Sequence, residues 1–168
     1  LVGTDTLEGM LTREAGDTVE TYAIERGSLQ NPDYDISYTG ADFSITKKNI
    51  TIIVNANQSK VYGEMDPVFT YTASGLVGTD TLIGVLTRVP GDSVGVYAIL
   101  EGSLRNSNYN IAYTGDNFRI TKKPITVIAD ANQSKIYGDA DPAFTYIVIG
   151  LEGMDTLIGA LTRVPGDS

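Results

Sequence analysis

The sequence predicts an all-β fold of small tandem units, and three observations carry that prediction. A pattern recurs every ~75 residues, short segments are rich in β-branched residues and tyrosine, and turn residues separate those segments. No segment keeps a 3.6-residue hydrophobic period over three turns, which an amphipathic helix requires. We therefore expect each unit to be a small β-sandwich or open barrel.

The repeat is visible in one heptapeptide that occurs three times. Residues 1–7 recur unchanged at 76–82 and return with two changes at 151–157. Between residues 1–75 and 76–150, about five positions in eight are identical, and the alignment needs no insertion or deletion. Self-similarity of this kind marks a repeat array rather than one large domain.

The repeat divides the chain into one complete unit and two partial ones. Residues 49–123 form the complete repeat, residues 1–48 the C-terminal part of a repeat, and residues 124–168 the N-terminal part of another. One explanation is a window on a long array. Another is a subunit whose partial repeats are completed by the next molecule, in a head-to-tail self-assembly.

Six or seven short strands are expected in the complete repeat. The first is β-branched throughout, the fourth contains Gly84 at a predicted bulge, and the last two form a hairpin through the turn at 114–116. In the fifth, Tyr97 and Ile99 face one side and their neighbours the other. The expected strands cover 50–54, 61–62, 68–73, 81–87, 94–100, 109–113 and 117–121.

The joints between repeats are short and contain no flexible spacer. Residues 43–48 run directly into 49–52, and the second joint contains Pro124 in place of a glycine or serine run. Short joints with proline are stiffer than Gly/Ser linkers. The sequence therefore predicts an elongated rod.

Composition excludes several functional classes. The net charge is −9, and the chain has neither cysteine nor histidine. An acidic surface repels nucleic acid and anionic membranes, and zinc sites, thiol chemistry and histidine-based catalysis lack their residues. No apolar run is long enough to span a bilayer. We expect no enzyme activity, no cofactor, no nucleic-acid partner and no membrane insertion in this segment.

Calcium is the one metal for which the sequence offers ligands. Glu64 and Asp66 lie in one turn, and Asp139 and Asp141 lie in the equivalent turn of the next repeat. Carboxylate oxygens suit calcium, although no EF-hand pattern is present. The alternative is an Asp-Pro turn in which the carboxylate binds local backbone amides.

Two further sets of residues are candidates for binding or modification. Glycosylation triplets begin at Asn49, Asn57 and Asn132, and each triplet is equally compatible with an ordinary loop or strand. Tyrosines are candidates for stacking on sugars, and packing within the fold is their commoner role. These tyrosines are Tyr62, Tyr71, Tyr97, Tyr109 and Tyr113.

Several motifs in fixed order resemble a known family. Ala-Asn-Gln-Ser-Lys-x-Tyr-Gly is followed by Asp-Pro, Phe-Thr-Tyr and Gly-Leu-x-Gly-x-Asp-Thr-Leu, and later by Phe-x-Ile-Thr-Lys-Lys. This order is similar to that of the MBG domain, a mostly-β, glycine-rich module. The resemblance implies tandem repeats in large secreted or cell-surface bacterial adhesins, and it carries over no catalytic residues.

Two functions are expected from these observations. The first is a structural stalk, spacer or filament segment of an extracellular adhesin, whose partners are neighbouring repeats of the same or an adjacent chain. The second is an adhesion module that recognises a glycan or a host surface protein. A spacer predicts the same surface on successive repeats, whereas a binder predicts a tyrosine-lined groove.

Overall fold

The computed structural model describes residues 1–164 and 166, and these residues form twelve strands and no helix. The all-β prediction is confirmed. The strands are β1 (Thr12–Arg13), β2 (Thr21–Glu25), β3 (Ala41–Ser44), β4 (Lys48–Val54), β5 (Ser59–Val61), β6 (Tyr71–Ser74), β7 (Thr87–Arg88), β8 (Gly95–Leu100), β9 (Tyr109–Thr114), β10 (Asn117–Thr121), β11 (Thr126–Ala129) and β12 (Tyr146–Ile149).

The described strands pair into four small sheets. The complete repeat contains a sheet with the order β6-β4-β9 and another with the order β5-β10-β8-β7. The first partial repeat contains β1-β2-β3, and the last contains the two-stranded sheet β11-β12. Strands that are distant in sequence are therefore neighbours mainly in the complete repeat.

Strand β4 contains the strand predicted over 50–54 and is the centre of its sheet. Ile50, Ile52 and Val54 alternate along it and are buried, because successive side chains of a strand point to opposite faces. One edge of β4 pairs antiparallel with β6, from Thr51 opposite Ser74 to Val54 opposite Tyr71. The other edge pairs in parallel with β9 over six residues.

A second parallel pair joins the two ends of the complete repeat. Strand β10 lies beside β5, with Arg119 opposite Ser59 and Thr121 opposite Val61. Parallel strands cannot be joined by a tight turn and need a long connection. Both parallel pairs therefore unite segments from the beginning and the end of the repeat.

The predicted hairpin of the last two strands is wrong. The two strands exist, but β9 lies in the sheet of β4 and β10 in the sheet of β5 and β8. Alternating strands around a Thr-Gly-Asp turn resemble a hairpin in sequence. Here the turn moves the chain from one sheet to another, because each strand finds its partner in the first part of the repeat.

The strand predicted over 81–87 is much shorter than expected. Only Thr87 and Arg88 form a strand, preceded by one isolated bridge between Ile83 and Arg105. Gly84 has a φ of +98°, and a Cβ there would lie 2.2 Å from the carbonyl oxygen of Ser103. The glycine permits this close backbone approach, and it interrupts regular pairing.

The chain divides into two compact units, and each gathers separate stretches of sequence. The first contains Leu1–Ala56, Phe69–Val89 and Ala98–Asp116. Its buried side chains include Ile50, Ile52, Leu86, Ile99 and Tyr109. The second contains Asn57–Val68, Pro90–Tyr97 and the chain from Asn117 onward, with Phe118 and Ile120 buried.

Candidate functional site: the repeat junctions

A shallow hollow lies in the first compact unit where the first two repeats meet. Its volume is about 200 Å³, and Val19 and Lys48 contribute to its wall together with Val77, Asp80 and Tyr109. Strand β3 ends at Ser44 and β4 begins at Lys48, so three residues separate the strands of successive repeats. The hollow therefore lies on the surface of a short connection between the first two repeats.

Asn108 holds the two sides of this joint together. Its side-chain Oδ1 accepts the backbone N–H of Val19 at 3.1 Å. Its carbonyl accepts the N–H of Lys48 at 3.0 Å, at the start of β4. Residues before and after the joint are thus bound to one asparagine, which limits how far they can separate.

A tyrosine and an aspartate fix the loop beside the joint. Tyr109 Oη donates to Asp80 Oδ2 at 2.5 Å and accepts the backbone N–H of Val77 at 3.0 Å. The hydrogen bond to Asp80 raises the pKa of Tyr109 above its ordinary value, and burial adds to that effect. A hydroxyl that donates to a carboxylate loses a strong interaction if it ionises.

The same arrangement occurs one repeat earlier. Tyr34 Oη donates to Asp5 Oδ2 at 2.7 Å and accepts the N–H of Val2 at 2.5 Å. The hydrogen bond to Asp5 raises the pKa of Tyr34 as well. This pair was not predicted, although the repeated spacing of 29 residues between aspartate and tyrosine is visible in the sequence.

A second hollow, of about 210 Å³, lies in the second compact unit at the next junction. The walls of the two hollows share four equivalent positions of successive repeats. Those of the second hollow are Val94, Lys123, Glu152 and Asp155, which correspond in that order to Val19, Lys48, Val77 and Asp80 of the first. Lys123 forms an ion pair with Glu152. Four residues separate β10 from β11 here.

The Tyr62-Gly63 dipeptide is part of this second junction. A hydrogen bond with Asp155 is the main cause that raises the pKa of Tyr62, followed by the negative charge of the same carboxylate. Gly63 has a φ of +89°, and a Cβ on it would lie 2.6 Å from the carboxyl carbon of Glu152. The positive φ favours glycine at this position, and the absence of a Cβ leaves room for the Glu152 side chain.

The two equivalent junctions and the recurring Tyr-Gly dipeptide show that the structure repeats along the chain as the sequence does. The sequence matches the MBG domain (YGX type) over residues 1–44, 50–119 and 125–168. The chain belongs to the MBG domain family. The resemblance drawn from the motifs is confirmed, and the chain contains tandem MBG repeats.

MBG repeats are typical of surface proteins, and the family is not known as catalytic. No curated protein and no solved structure matches the chain significantly. Over 1–164 and 166, no helix is both long and apolar enough to cross a membrane.

Two of the four predicted calcium ligands are paired with cations. Asp66 lies 2.7 Å from Lys60, and Asp141 lies 2.8 Å from Lys135 and 2.6 Å from Arg163. Arg163 and then Lys135 lower the pKa of Asp141 below its ordinary value.

The other two predicted ligands make local backbone contacts. Glu64 Oε2 accepts the N–H of Val61 at 3.0 Å, and the Asp139 carbonyl accepts from Lys135. Within the described part of the chain, no three acidic, histidine or cysteine residues are grouped so that they could hold a metal. Calcium binding stays a prediction.

The three predicted glycosylation sites have different backbone environments. Asn49 lies in β4 and its Oδ1 accepts from Asn110 at 3.2 Å. Asn57 and Asn132 are equivalent loop positions with φ of +64° and +61°, which asparagine adopts more readily than most residues. The positive φ explains why asparagine recurs at these two positions. Glycosylation stays a prediction.

Most of the candidate tyrosines make contacts within the chain. Tyr97 Oη donates to the Ser93 carbonyl at 2.7 Å, and Tyr113 Oη donates to the Ile99 carbonyl at 2.8 Å. Tyr109 and Tyr62 are bound to aspartates, as described above, and Tyr71 is half-buried in β6. Each of the two junction hollows has one tyrosine in its wall.

Proposed function

We propose that this chain is a non-catalytic structural segment, a stalk or spacer, of a secreted or cell-surface adhesin. The observation that carries the proposal is the pair of parallel strand contacts that close the complete repeat. Strand β4, at its beginning, pairs in parallel with β9, and β10, at its end, pairs in parallel with β5. The membership in a family typical of surface proteins supports the extracellular location.

This arrangement resists stretching because of the direction in which the strands are loaded. A force along the chain pulls β4 toward its N-terminal end and β9, through β10, toward its C-terminal end. Parallel partners loaded in this way slide along each other. The six residue pairs from Lys48–Tyr109 to Ile53–Thr114 must therefore break together rather than one after another.

The junctions transmit such a force with little slack. Three residues separate β3 from β4, and four separate β10 from β11. Short connections without a Gly/Ser run cannot lengthen by uncoiling. The Tyr–Asp and Lys–Glu contacts beside the joints further restrain the adjacent loops.

Single-molecule force spectroscopy tests this function on the full chain with engineered disulfides. Thr51 and Ala112 are partners across β4 and β9, so Thr51→Cys with Ala112→Cys locks the parallel pair. We expect oxidation to abolish the main rupture event of the reduced protein and to shorten the released length. A reduced protein that extends without a distinct rupture event would contradict the proposal.

The matched control locks the other edge of the same strand. Ile53 and Thr72 are partners across the antiparallel pair of β4 and β6. Ile53→Cys with Thr72→Cys closes a short loop and leaves the contact with β9 free to slide. We expect the main rupture force to be the same in the oxidised and reduced forms of this variant. Equal effects of the two disulfides would show that β4 and β9 do not bear the load.

A further inference from the structure

The complete repeat has an apolar surface where the first repeat is acidic. Three exposed positions, one period apart in the two repeats, change from glutamate to an apolar residue. Glu8, Glu14 and Glu25 of the first repeat correspond in that order to Ile83, Val89 and Leu100 of the complete one. The three apolar residues are 57%, 41% and 43% exposed. The surfaces of successive repeats therefore differ in chemistry at equivalent positions.

The apolar residues lie on the outer face of the β7–β8 pair. Thr87 of β7 lies opposite Leu100 of β8, and the N–H of Val89 donates to the Ala98 carbonyl. Residues directly opposite each other in an antiparallel pair point to the same face. Val85 belongs to that face because it precedes Thr87 by two positions, and it is also exposed. These five exposed residues are called the apolar strip.

The strip contains no charged side chain. Glu101 comes directly after Leu100, but its charge acts on Tyr113 of β9, whose pKa is raised first by burial and then by Glu101. The nearest basic residue along the pair is Arg105, which forms an isolated bridge with Ile83 at one end of the strip. An uncharged face is unusual for a chain with a net charge of −9.

Neighbouring repeats leave this face exposed. The equivalent residues of the first repeat are all exposed, although the complete repeat follows them. The strip lies inside the complete repeat and is exposed with residues 1–48 before it and residues 124–164 after it. Its exposure is therefore a property of the repeat, and contiguous exposed apolar surface marks an interaction site.

Charge favours a second copy of the same strip as the occupant. Each copy carries a net charge of −9, so two copies repel each other through their acidic surfaces and can approach most closely at a face without acidic groups. In an antiparallel two-fold contact, the two Arg105 side chains lie at opposite ends of the strip, about 20 Å apart, where salt screens their repulsion. Glutamates at the equivalent positions exclude the first repeat from such a contact, because burying unpaired carboxylates is costly.

The shape and size of the strip fit a weak, symmetric contact. Two sheets pack face to face at a distance of about 10 Å through small and branched apolar side chains, and such a face can be self-complementary under a two-fold axis. Two strands of this length present roughly 200 Å². A stable interface needs about 800 Å² on each partner, so one strip supports a reversible association.

We propose that the apolar strip of the complete repeat packs face to face against the same strip of a second copy, so that two chains associate side by side. The last repeat has Ile158 and Val164 at the positions of Ile83 and Val89. Tandem chains therefore gain strength by adding further weak contacts of the same kind. This inference does not depend on the mechanical role proposed above.

Sedimentation equilibrium of the full chain tests the proposal. We expect the mass of the wild type to rise toward that of a dimer as the concentration approaches about 1 mM, the range of weak contacts. Val89→Glu with Leu100→Glu should abolish the rise. Both changes introduce the residue that the first repeat has at the equivalent exposed position, so we expect the fold to be kept. A wild-type chain that stays monomeric at this concentration would overturn the proposal.

The matched control adds the same charge to another face. Ser74 and Ala112 are exposed residues of β6 and β9, in the sheet of β4. Ser74→Glu with Ala112→Glu should associate like the wild type at physiological salt, which screens long-range repulsion. Circular dichroism checks that both double variants keep the β spectrum. Equal loss of association in the two double variants would show that net charge, and not the strip, controls it.

Disulfide trapping tests the two-fold geometry, and the chain has no native cysteine to interfere. Thr87 lies in the middle of the strip, so a two-fold axis brings Thr87→Cys of two copies together. We expect this variant to form a covalent dimer severalfold faster on mild oxidation than Ala112→Cys does. Addition of Val89→Glu and Leu100→Glu should remove the difference. The same rate for Thr87→Cys and Ala112→Cys would rule out a contact centred on the strip.

Discussion

The complete repeat and the first partial repeat share most of their sequence and differ in how much of it is ordered as sheet. In the complete repeat, 109–114 is a strand and Phe118 is buried. In the partial repeat, 34–39 is not a strand and the equivalent Phe43 is exposed. The comparison shows that the back part of an MBG repeat forms its own three-stranded sheet and side-chain anchors, whereas the strand at 109–114 and the full burial of Phe118 occur where the front part is present.

The largest expected effect comes from truncating the two equivalent phenylalanines. Phe118→Ala leaves a cavity around a fully buried side chain and should lower the free energy of unfolding by about 3–5 kcal/mol. Phe43→Ala should lower it by about 1 kcal/mol, since Phe43 is 43% exposed and its truncation leaves no enclosed cavity, although its contact with the Arg13 guanidinium is lost.

Urea unfolding of both variants and the wild type measures the two losses side by side. Equal losses in the two variants would show that the repeats bury these side chains to the same extent, and would remove the contrast.

An intermediate effect is expected at an equivalent pair of glycines. Gly84 and Gly159 both have positive φ, of +98° and +107°, so alanine introduces backbone strain at either position. A Cβ at Gly84 would meet the Ser103 carbonyl at 2.2 Å, whereas one at Gly159 meets nothing within 4 Å. Gly84→Ala should therefore cost about 1–3 kcal/mol more than Gly159→Ala, as overpacking typically does.

Thermal unfolding of the two glycine variants side by side measures this difference, because the backbone strain is common to both. If Gly159→Ala proved as destabilising as Gly84→Ala, the last partial repeat would contain the same close backbone approach as the complete one. The proposed contrast between complete and partial repeats would then be wrong at this turn.

The smallest expected effect is a pH dependence at the Tyr109–Asp80 pair. The pKa of Tyr109 is raised in the folded chain, so its contribution to stability is fully present below the ordinary tyrosine pKa near 10. That contribution is lost as the pH rises through the folded-state pKa. Tyr109→Phe should lower the unfolding temperature at pH 8 and weaken its fall between pH 9 and 11.

Tyr34→Phe is a second test of the same effect, since Tyr34 makes the same two hydrogen bonds in the partial repeat and its pKa is also raised. The prediction is checked by measuring the unfolding temperatures of both variants and the wild type across that pH range. A Tyr109→Phe profile parallel to the wild type at every pH would show that this hydroxyl does not couple stability to pH.

The sequence was sufficient for the local features of the fold and insufficient for its pairing. Strand β4 is recognisable because Ile50, Ile52 and Val54 alternate among β-branched neighbours. Strand β8 keeps the predicted alternation, with Ile99 buried. The parallel pairing of β4 with β9 could not be derived, because a hairpin of β9 and β10 is the simplest arrangement for two alternating strands around a turn.

The junction was predicted only in outline. The absence of a spacer at residues 43–52 indicated a short joint, and the structure places three residues there. The roles of Asn108 and Lys123 were missed, because their contacts join residues far apart in sequence. The repeated aspartate–tyrosine spacing was the one readable signal, and it becomes informative only when two copies are compared.

The interlocking of front and back parts has a consequence for how such arrays change length. Because successive repeats align without insertion or deletion, recombination between equivalent codons of two repeats keeps the front and back parts of the joined repeat in phase. The crossover can fall at any position of the 75-residue period without changing the spacing of the strands. Copy number can therefore rise or fall in a single genetic event while each remaining module is still able to fold.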